Sequence, residues 1–131
     1  MQITNIIEEK NLKLTSARKE LLEILDREKK PISFEDIKHK INMDKATFYR
    51  NISKFESNSI VNSFESNDKK RYYEIQGSPH SHFICNTCNH IECLESILPT
   101  KLEGYSVSDV IYKGICKSCK EINLENIIIT K

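Results

Sequence analysis

No apolar run in this sequence approaches the roughly 18 residues that a membrane-crossing helix needs, so a helical span is not expected. The N-terminus carries Glu8, Glu9 and Lys10 where a secretory signal would be apolar. No signal peptide is therefore expected, and the protein is expected in the cytoplasm. Net charge is nearly absent as well, +1 in 131 residues, and does not by itself select a partner. Internal repeats and low-complexity segments are missing. What is left is a chain with the apolar and charged fractions of a soluble globular protein, long enough for one ordinary domain or two very small ones. A domain of about 60 residues is marginal alone and often needs a metal, a disulfide or a partner subunit.

Local composition is more informative. Between Ile37 and Phe55 there are five basic residues (Lys38, Lys40, Lys45, Arg50, Lys54) and one acid, Asp44. Such a patch suits an anionic partner, although a solvated helix face has the same charge. All five cysteines and three of the four histidines follow Gly77-Ser78-Pro79, which divides the chain into 1–77 and 78–131. In a reducing compartment cysteines favour metal or redox chemistry over disulfides, and an odd count leaves one unpaired.

The first half reads as helices followed by a hairpin. Ile3, Ile6 and Ile7 mark a short helix. Thr15 can cap a second, with Leu21, Leu22, Ile24 and Leu25 as its apolar face. Pro31 prevents continuation. Ser33 can cap a third, with Asp36 at its third position and Phe34, Ile37 and Ile41 inward. After a break at Asn42-Met43, Asp44 caps a fourth. Ile60-Val61 and Arg71–Ile75, around a polar turn at Asn67–Lys70, predict a two-stranded wing. The fold class is thus α+β: an N-terminal winged helix-turn-helix domain, then a small second domain.

At about 100° per residue, Phe48, Ile52 and Phe55 share one side of the fourth helix. Ala46, Arg50 and Ser53 lie opposite, flanked by Tyr49 and Lys54. Small residues allow close approach, arginine can fork onto guanine, and tyrosine or serine can reach phosphates, as a recognition helix requires. Lys45 near the helix N-terminus favours a phosphate there. An ordinary amphipathic helix would show the same periodicity.

The second half contains Cys85-x2-Cys88, a spacer of 27 residues, and Cys116-x2-Cys119. Each pair can reach one ion from a tight turn, and two pairs supply four thiolates for tetrahedral zinc. The spacer has room for strand, helix and strand. Two disulfides or a dithiol switch are the competing readings. A closed four-sulfur site has no open position and is structural. Glu74, His80, His82 and Cys93 form a second set of ligand types, with His90 nearby. In a strand His80 and His82 would project from one face. Two exposed histidines and a buried thiol remain the alternative.

These motifs together resemble the ferric uptake regulator (Fur) family over almost the whole length. The resemblance is carried by Leu12-Lys13-Leu14-Thr15-Ser16-Ala17-Arg18, by Ile32-Ser33-Phe34-Glu35-Asp36-Ile37 and by Ala46-Thr47-Phe48-Tyr49-Arg50. It continues through Arg71-Tyr72-Tyr73-Glu74-Ile75 and His80-Ser81-His82-Phe83-Ile84-Cys85-Asn86-Thr87-Cys88 to Tyr112-Lys113-Gly114-Ile115-Cys116-Lys117-Ser118-Cys119. It implies a homodimeric, metal-responsive repressor that binds double-stranded operator DNA, with a DNA helix at 45–56 and a small α/β zinc-binding dimerisation domain after the winged helix. It also implies structural zinc at Cys85, Cys88, Cys116 and Cys119, and metal sensing by Glu74, His80 and His82. The candidate DNA-contact residues are Lys13, Arg18, Lys45, Ala46, Thr47, Tyr49, Arg50, Ser53 and Lys54, with Lys13 and Arg18 implied by the resemblance. No small-molecule substrate and no membrane partner are expected.

Three departures bear on the signal. Pro31 stands where the family often has a ligating histidine. Cys93 stands where iron- and manganese-sensing members have a carboxylate. The spacer between the cysteine pairs is shorter than in the family, which puts in doubt the helix around Leu98-Pro99 that usually supports the dimer. The first two shift the second set toward soft donors, and Glu74, His80, His82 and Cys93 make a zinc-preferring set. The regulatory divalent metal is therefore expected to be zinc, with an iron- or peroxide-responsive regulator as the alternative. A zinc hydrolase using His80, His82 and Glu74 is disfavoured, because no general base stands beside the set and Cys93 would close it.

Overall fold

A computed structural model describes residues 3–28, 30–76, 81–94, 102–107 and 109–122. The element order is α1 (Ile3–Glu9), α2 (Ser16–Glu28), α3 (Phe34–Ile37), α4 (Lys45–Ser57), β1 (Val61–Glu65), β2 (Arg71–Ile75), β3 (Ser81–Cys85), β4 (Ile91–Leu94) and β5 (Ile111–Gly114). The chain forms two compact units, Met1–Glu65 with Lys70–Gly77, and Ser66–Lys69 with Ser78–Lys131.

In the first unit the caps decide where helices begin. The Thr15 hydroxyl accepts the Arg18 N–H at 3.2 Å and opens α2. Ser33 and Asp36 form a reciprocal capping box, with Asp36 N–H to Ser33 Oγ at 3.3 Å and Ser33 N–H to Asp36 Oδ2 at 3.0 Å. Asp44 accepts the Thr47 N–H at 2.8 Å and opens α4. Each oxygen satisfies a donor that the first helical turn leaves without a backbone partner. The Asp44 carboxyl is held below its ordinary pKa by those hydrogen bonds from Thr47.

α3 is a single turn of four residues. The sequence places Phe34, Ile37 and Ile41 inward; Ile37 and Ile41 are buried, while Phe34 is half-buried. Leu21, Leu22, Ile24 and Leu25 of α2 meet Phe48, Ile52 and Phe55 of α4 in one apolar core with Ile7, Ile32, Ile60, Val61 and Tyr73. β1 and β2 pair antiparallel from Val61 against Ile75 to Glu65 against Arg71. The hairpin starts one residue later than Ile60 and carries an addition that the sequence reading lacks. Ile32 and Tyr73 exchange both backbone hydrogen bonds, at 2.9 and 2.8 Å, so the segment before α3 is tied to the wing.

The second unit is a three-stranded sheet in the order β4-β3-β5. β3 runs antiparallel to β4 and parallel to β5. A helical turn follows at 117–122. The helix expected around Leu98-Pro99, between β4 and β5, lies outside the described residues, as does His80.

Candidate metal centre and nucleic-acid interface

The four paired cysteines are brought together by strand direction. β3 and β5 are parallel neighbours with Cys85 in register with Gly114. Both chains therefore leave the sheet at the same end, and Cys116, two residues past Gly114, arrives beside Cys85. Cys88 comes round on the tight turn after β3, where Asn89 N–H bonds to the Cys85 carbonyl at 3.0 Å and Asn89 itself adopts a left-handed φ of 61°. Cys119 follows on the helical turn, whose Lys120 N–H reaches the Cys116 carbonyl at 2.9 Å.

The four sulfurs lie within 4.8 Å of one another and none is disulfide-bonded. The Cys88 and Cys116 sulfurs are 3.8 Å apart. Tetrahedral zinc with zinc–sulfur bonds of about 2.3 Å requires sulfur–sulfur edges of about 3.8 Å, so the spacing fits the ion and not a disulfide. Backbone N–H groups of Thr87, Cys88 and Cys116 converge on Cys85 Sγ at 3.3, 3.4 and 3.3 Å. These donors, chiefly those of Cys116 and Cys88, pull the Cys85 thiol down to about 5. Neighbouring thiols act the other way. Cys119 is pushed up to about 12 by Cys116 and by burial, and Cys88 is raised despite the His90 N–H that favours its thiolate. One negative sulfur is thus cradled and further ones repel. A divalent soft cation resolves that conflict, and the donor set suits zinc.

The second expected set is partly within view. His82 and Cys93 are direct partners across β3 and β4. Their ligand atoms lie within 4.8 Å of each other. His82 is 2% exposed and Cys93 half-buried. Side chains alternate along a strand, so His82 and Cys85 project to opposite faces of β3 and belong to separate sites. Glu74 sits in β2 of the other unit, buried and in register with Asn62. His90, exposed, follows the Cys88 turn.

On α4 the expected DNA-facing residues Lys45, Ala46, Tyr49, Arg50, Ser53 and Lys54 are exposed, and Thr47 is half-buried. Phe48, Asn51, Ile52 and Phe55 are buried. Lys13 is exposed and Arg18 half-buried. Two donors of the Arg18 guanidinium are engaged within the unit: Nε donates to Asn51 Oδ1 at 3.2 Å, and an Nη donates to the Lys13 carbonyl at 2.8 Å. Arg18 therefore braces α4 and the segment before α2. Asn51 escaped the sequence reading. The signal for it was an amide among Phe48, Ile52 and Phe55 on the buried face of the helix.

Comparison with known proteins agrees with this arrangement. Residues 9–108 match the ferric uptake regulator family. Cys116 and Cys119 lie past that span, so their grouping rests on the sheet geometry. A ferric uptake regulation protein of Staphylococcus epidermidis is 26% identical over 129 residues, covering 88% of this chain and 93% of the relative. The fold is that of the Helicobacter pylori ferric uptake regulator, at a TM-score of 0.72 and 24% identity over 92% of this chain and 95% of that one. The Francisella tularensis ferric uptake regulator, solved with iron, is 27% identical at a TM-score of 0.62, covering 83% and 95%.

Proposed function

The chain belongs to the ferric uptake regulator family, and from that premise we propose that it is a zinc-responsive repressor. As a member of that family it is a metal-responsive, DNA-binding transcription regulator and not an enzyme. In our reading one zinc is structural, held by Cys85, Cys88, Cys116 and Cys119. A second zinc, held by Glu74, His80, His82 and Cys93, is the signal. The homodimer then binds double-stranded operator DNA through α4.

The observation that supports zinc as the signal is the pairing of buried His82 with half-buried Cys93 across β3 and β4. An imidazole facing a thiol is a soft, borderline donor pair, which suits zinc and disfavours manganese. Zinc on such a set supplies a fixed positive charge and a cross-link, with no open position for hydrolytic chemistry. Pro31 offers no ligand, so Glu74 is the donor assigned to the N-terminal unit. A metal shifts a conformational equilibrium only by its difference in affinity for the two states, and in this reading that difference depends on Glu74. Lys13, Lys45 and Lys54 would neutralise phosphates, which makes binding weaken as salt rises. Arg50 would read a base edge, and Ala46, Thr47, Tyr49, Ser53 and Arg18 would complete the contact surface.

The competing signal is iron, which the 27% identical Francisella tularensis relative carries in its structure. Purified protein analysed for metal, then titrated onto DNA with zinc, ferrous iron or manganese restored, separates the two. Zinc is expected to restore DNA binding best. Cys93→Ala is expected to lose zinc-dependent DNA binding while retaining one zinc per chain at the four paired cysteines. A Cys93→Ala protein with unchanged zinc dependence would overturn the zinc signal in favour of iron.

A further inference from the structure

We propose that Phe34, on α3, is a positioning residue for DNA recognition: its ring brackets Lys45 and Tyr49 so that both are pre-ordered on the outer surface of α4. The inference rests on the reading that α4 meets DNA, and it adds a residue that touches no DNA itself.

A continuous run of rings leads from the core to the surface. Tyr73 and Phe48 are buried, with ring centroids 5.7 Å apart. Phe48 meets Phe34 at 4.9 Å and Tyr49 edge-on at 5.1 Å. Phe34 lies 5.8 Å from Tyr49. Tyr49, at the end of the run, is 38% exposed. The Lys45 ammonium stands 5.9 Å from the centroids of both Phe34 and Tyr49. Of the acids near Lys45 in sequence or space, Glu35 is paired with Lys38 at 2.7 Å and Asp44 accepts the Thr47 N–H at 2.8 Å.

The consequence is entropic. A lysine on a helix surface samples many rotamers, and binding a phosphate must freeze them. An ammonium attracted to two ring faces already occupies few of them. Tyr49, wedged against two rings, likewise has its aromatic plane fixed before DNA arrives. Limiting the ordering cost before binding raises affinity without adding a contact. The capping box on Ser33 and Asp36 fixes the start of α3, so the Phe34 backbone is itself held.

The test uses full-length, zinc-loaded protein and a duplex that wild-type protein selects from a random-sequence pool. Binding is followed by fluorescence anisotropy over a range of salt concentrations, with metal content and thermal midpoint measured for every variant. Phe34→Leu keeps the apolar bulk and removes the ring. It is expected to bind roughly tenfold more weakly, about 1.4 kcal/mol, with the salt slope unchanged, since Lys45 still neutralises its phosphate once bound. Phe34→Tyr is expected to restore the affinity. In a Lys45→Ala, Tyr49→Ala background, Phe34→Leu is expected to cost nothing more, whereas a merely structural ring would cost the same in either background. Wild-type affinity in Phe34→Leu, or an equal loss in both backgrounds, overturns the proposal. If Phe34→Leu melts early, Phe34→Met serves in its place under the same criteria. Arg50→Ala separates the two levels: if it weakens binding while Phe34→Leu does not, only the bracket fails, and if neither changes binding, the assignment of α4 to DNA fails.

Discussion

In the N-terminal unit the core runs from Ile7 through Leu21, Leu22, Phe48, Ile52 and Phe55 to Tyr73, all apolar and nearly all aliphatic or aromatic carbon. In the C-terminal unit the buried apolar side chains among the described residues are Ile84 and the sulfurs of Cys85 and Cys119. Large apolar groups such as Tyr105, Tyr112 and Ile115 remain exposed there. The first unit is stabilised by the removal of carbon from water. Among the described residues the second has too little of it for a small sheet to stand on, and in our reading four thiols clustered at one end of β3 and β5 would take that role once a cation joins them. The two units should therefore respond differently to the same insults.

The largest effect should follow from attacking the sulfurs. Structural zinc in small domains supplies about 10 kcal/mol or more of folding free energy in zinc-finger peptides. Cys116→Ser, or a strong chelator, is expected to release one zinc per chain and unfold the C-terminal sheet. The helices of the N-terminal unit should persist. Far-ultraviolet circular dichroism alongside zinc analysis would check this. A Cys116→Ser protein that kept its zinc and its full thermal stability would erase the contrast between the units.

The next effect should be confined to the other unit. Phe48 is wholly buried and touches Phe34, Tyr49 and Tyr73. Phe48→Ala should cost about 3–5 kcal/mol by lost transfer energy plus the cavity left behind. Added zinc should not recover it, because no sulfur is involved. Chemical denaturation with and without excess zinc measures both quantities. Recovery by zinc would mean that the two units do not fold on separate terms.

How much of this the sequence disclosed follows the same division. Thr15, Ser33 and Asp44 announced their helices because a cap is a local contact, made within three residues. The cysteine pairs announced a candidate metal centre because each knuckle is also local. Their meeting across 27 residues was inferred from valence, four thiolates to one zinc, and the parallel pairing of β3 with β5 is what accomplishes it. The Ile32–Tyr73 bridge was not legible, since a single paired residue has no period. The aromatic bracket at Phe34 is hidden for another reason: its inward spacing is visible, but in sequence Tyr49 reads only as a flank of the outer face and Lys45 only as a charge near the helix N-terminus. His82 and Cys93 were named as donor types, and only strand register makes them neighbours.

The smallest effect, and the sharpest probe of the N-terminal unit, concerns its polar inter-helix contact at Asn51. This amide is 8% exposed on a face otherwise made by Phe48, Ile52 and Phe55. It accepts from Arg18 Nε at 3.2 Å, and Arg18 in turn holds the Lys13 carbonyl at 2.8 Å. Removing the acceptor leaves a charged donor without its partner, which is expensive only where water cannot replace it. Arg18 is half-buried, so water can. Asn51→Ala is therefore expected to cost about 1 kcal/mol of stability, near the usual net worth of one hydrogen bond. A double-mutant cycle of Asn51→Ala with Arg18→Ala should return most of that loss as coupling, since each change removes the same contact. DNA affinity should fall in Asn51→Ala by more than the stability loss explains, because the amide also fixes Lys13 and Arg18 relative to α4. Independent, additive losses in the cycle would make Asn51 a packing residue like its neighbours.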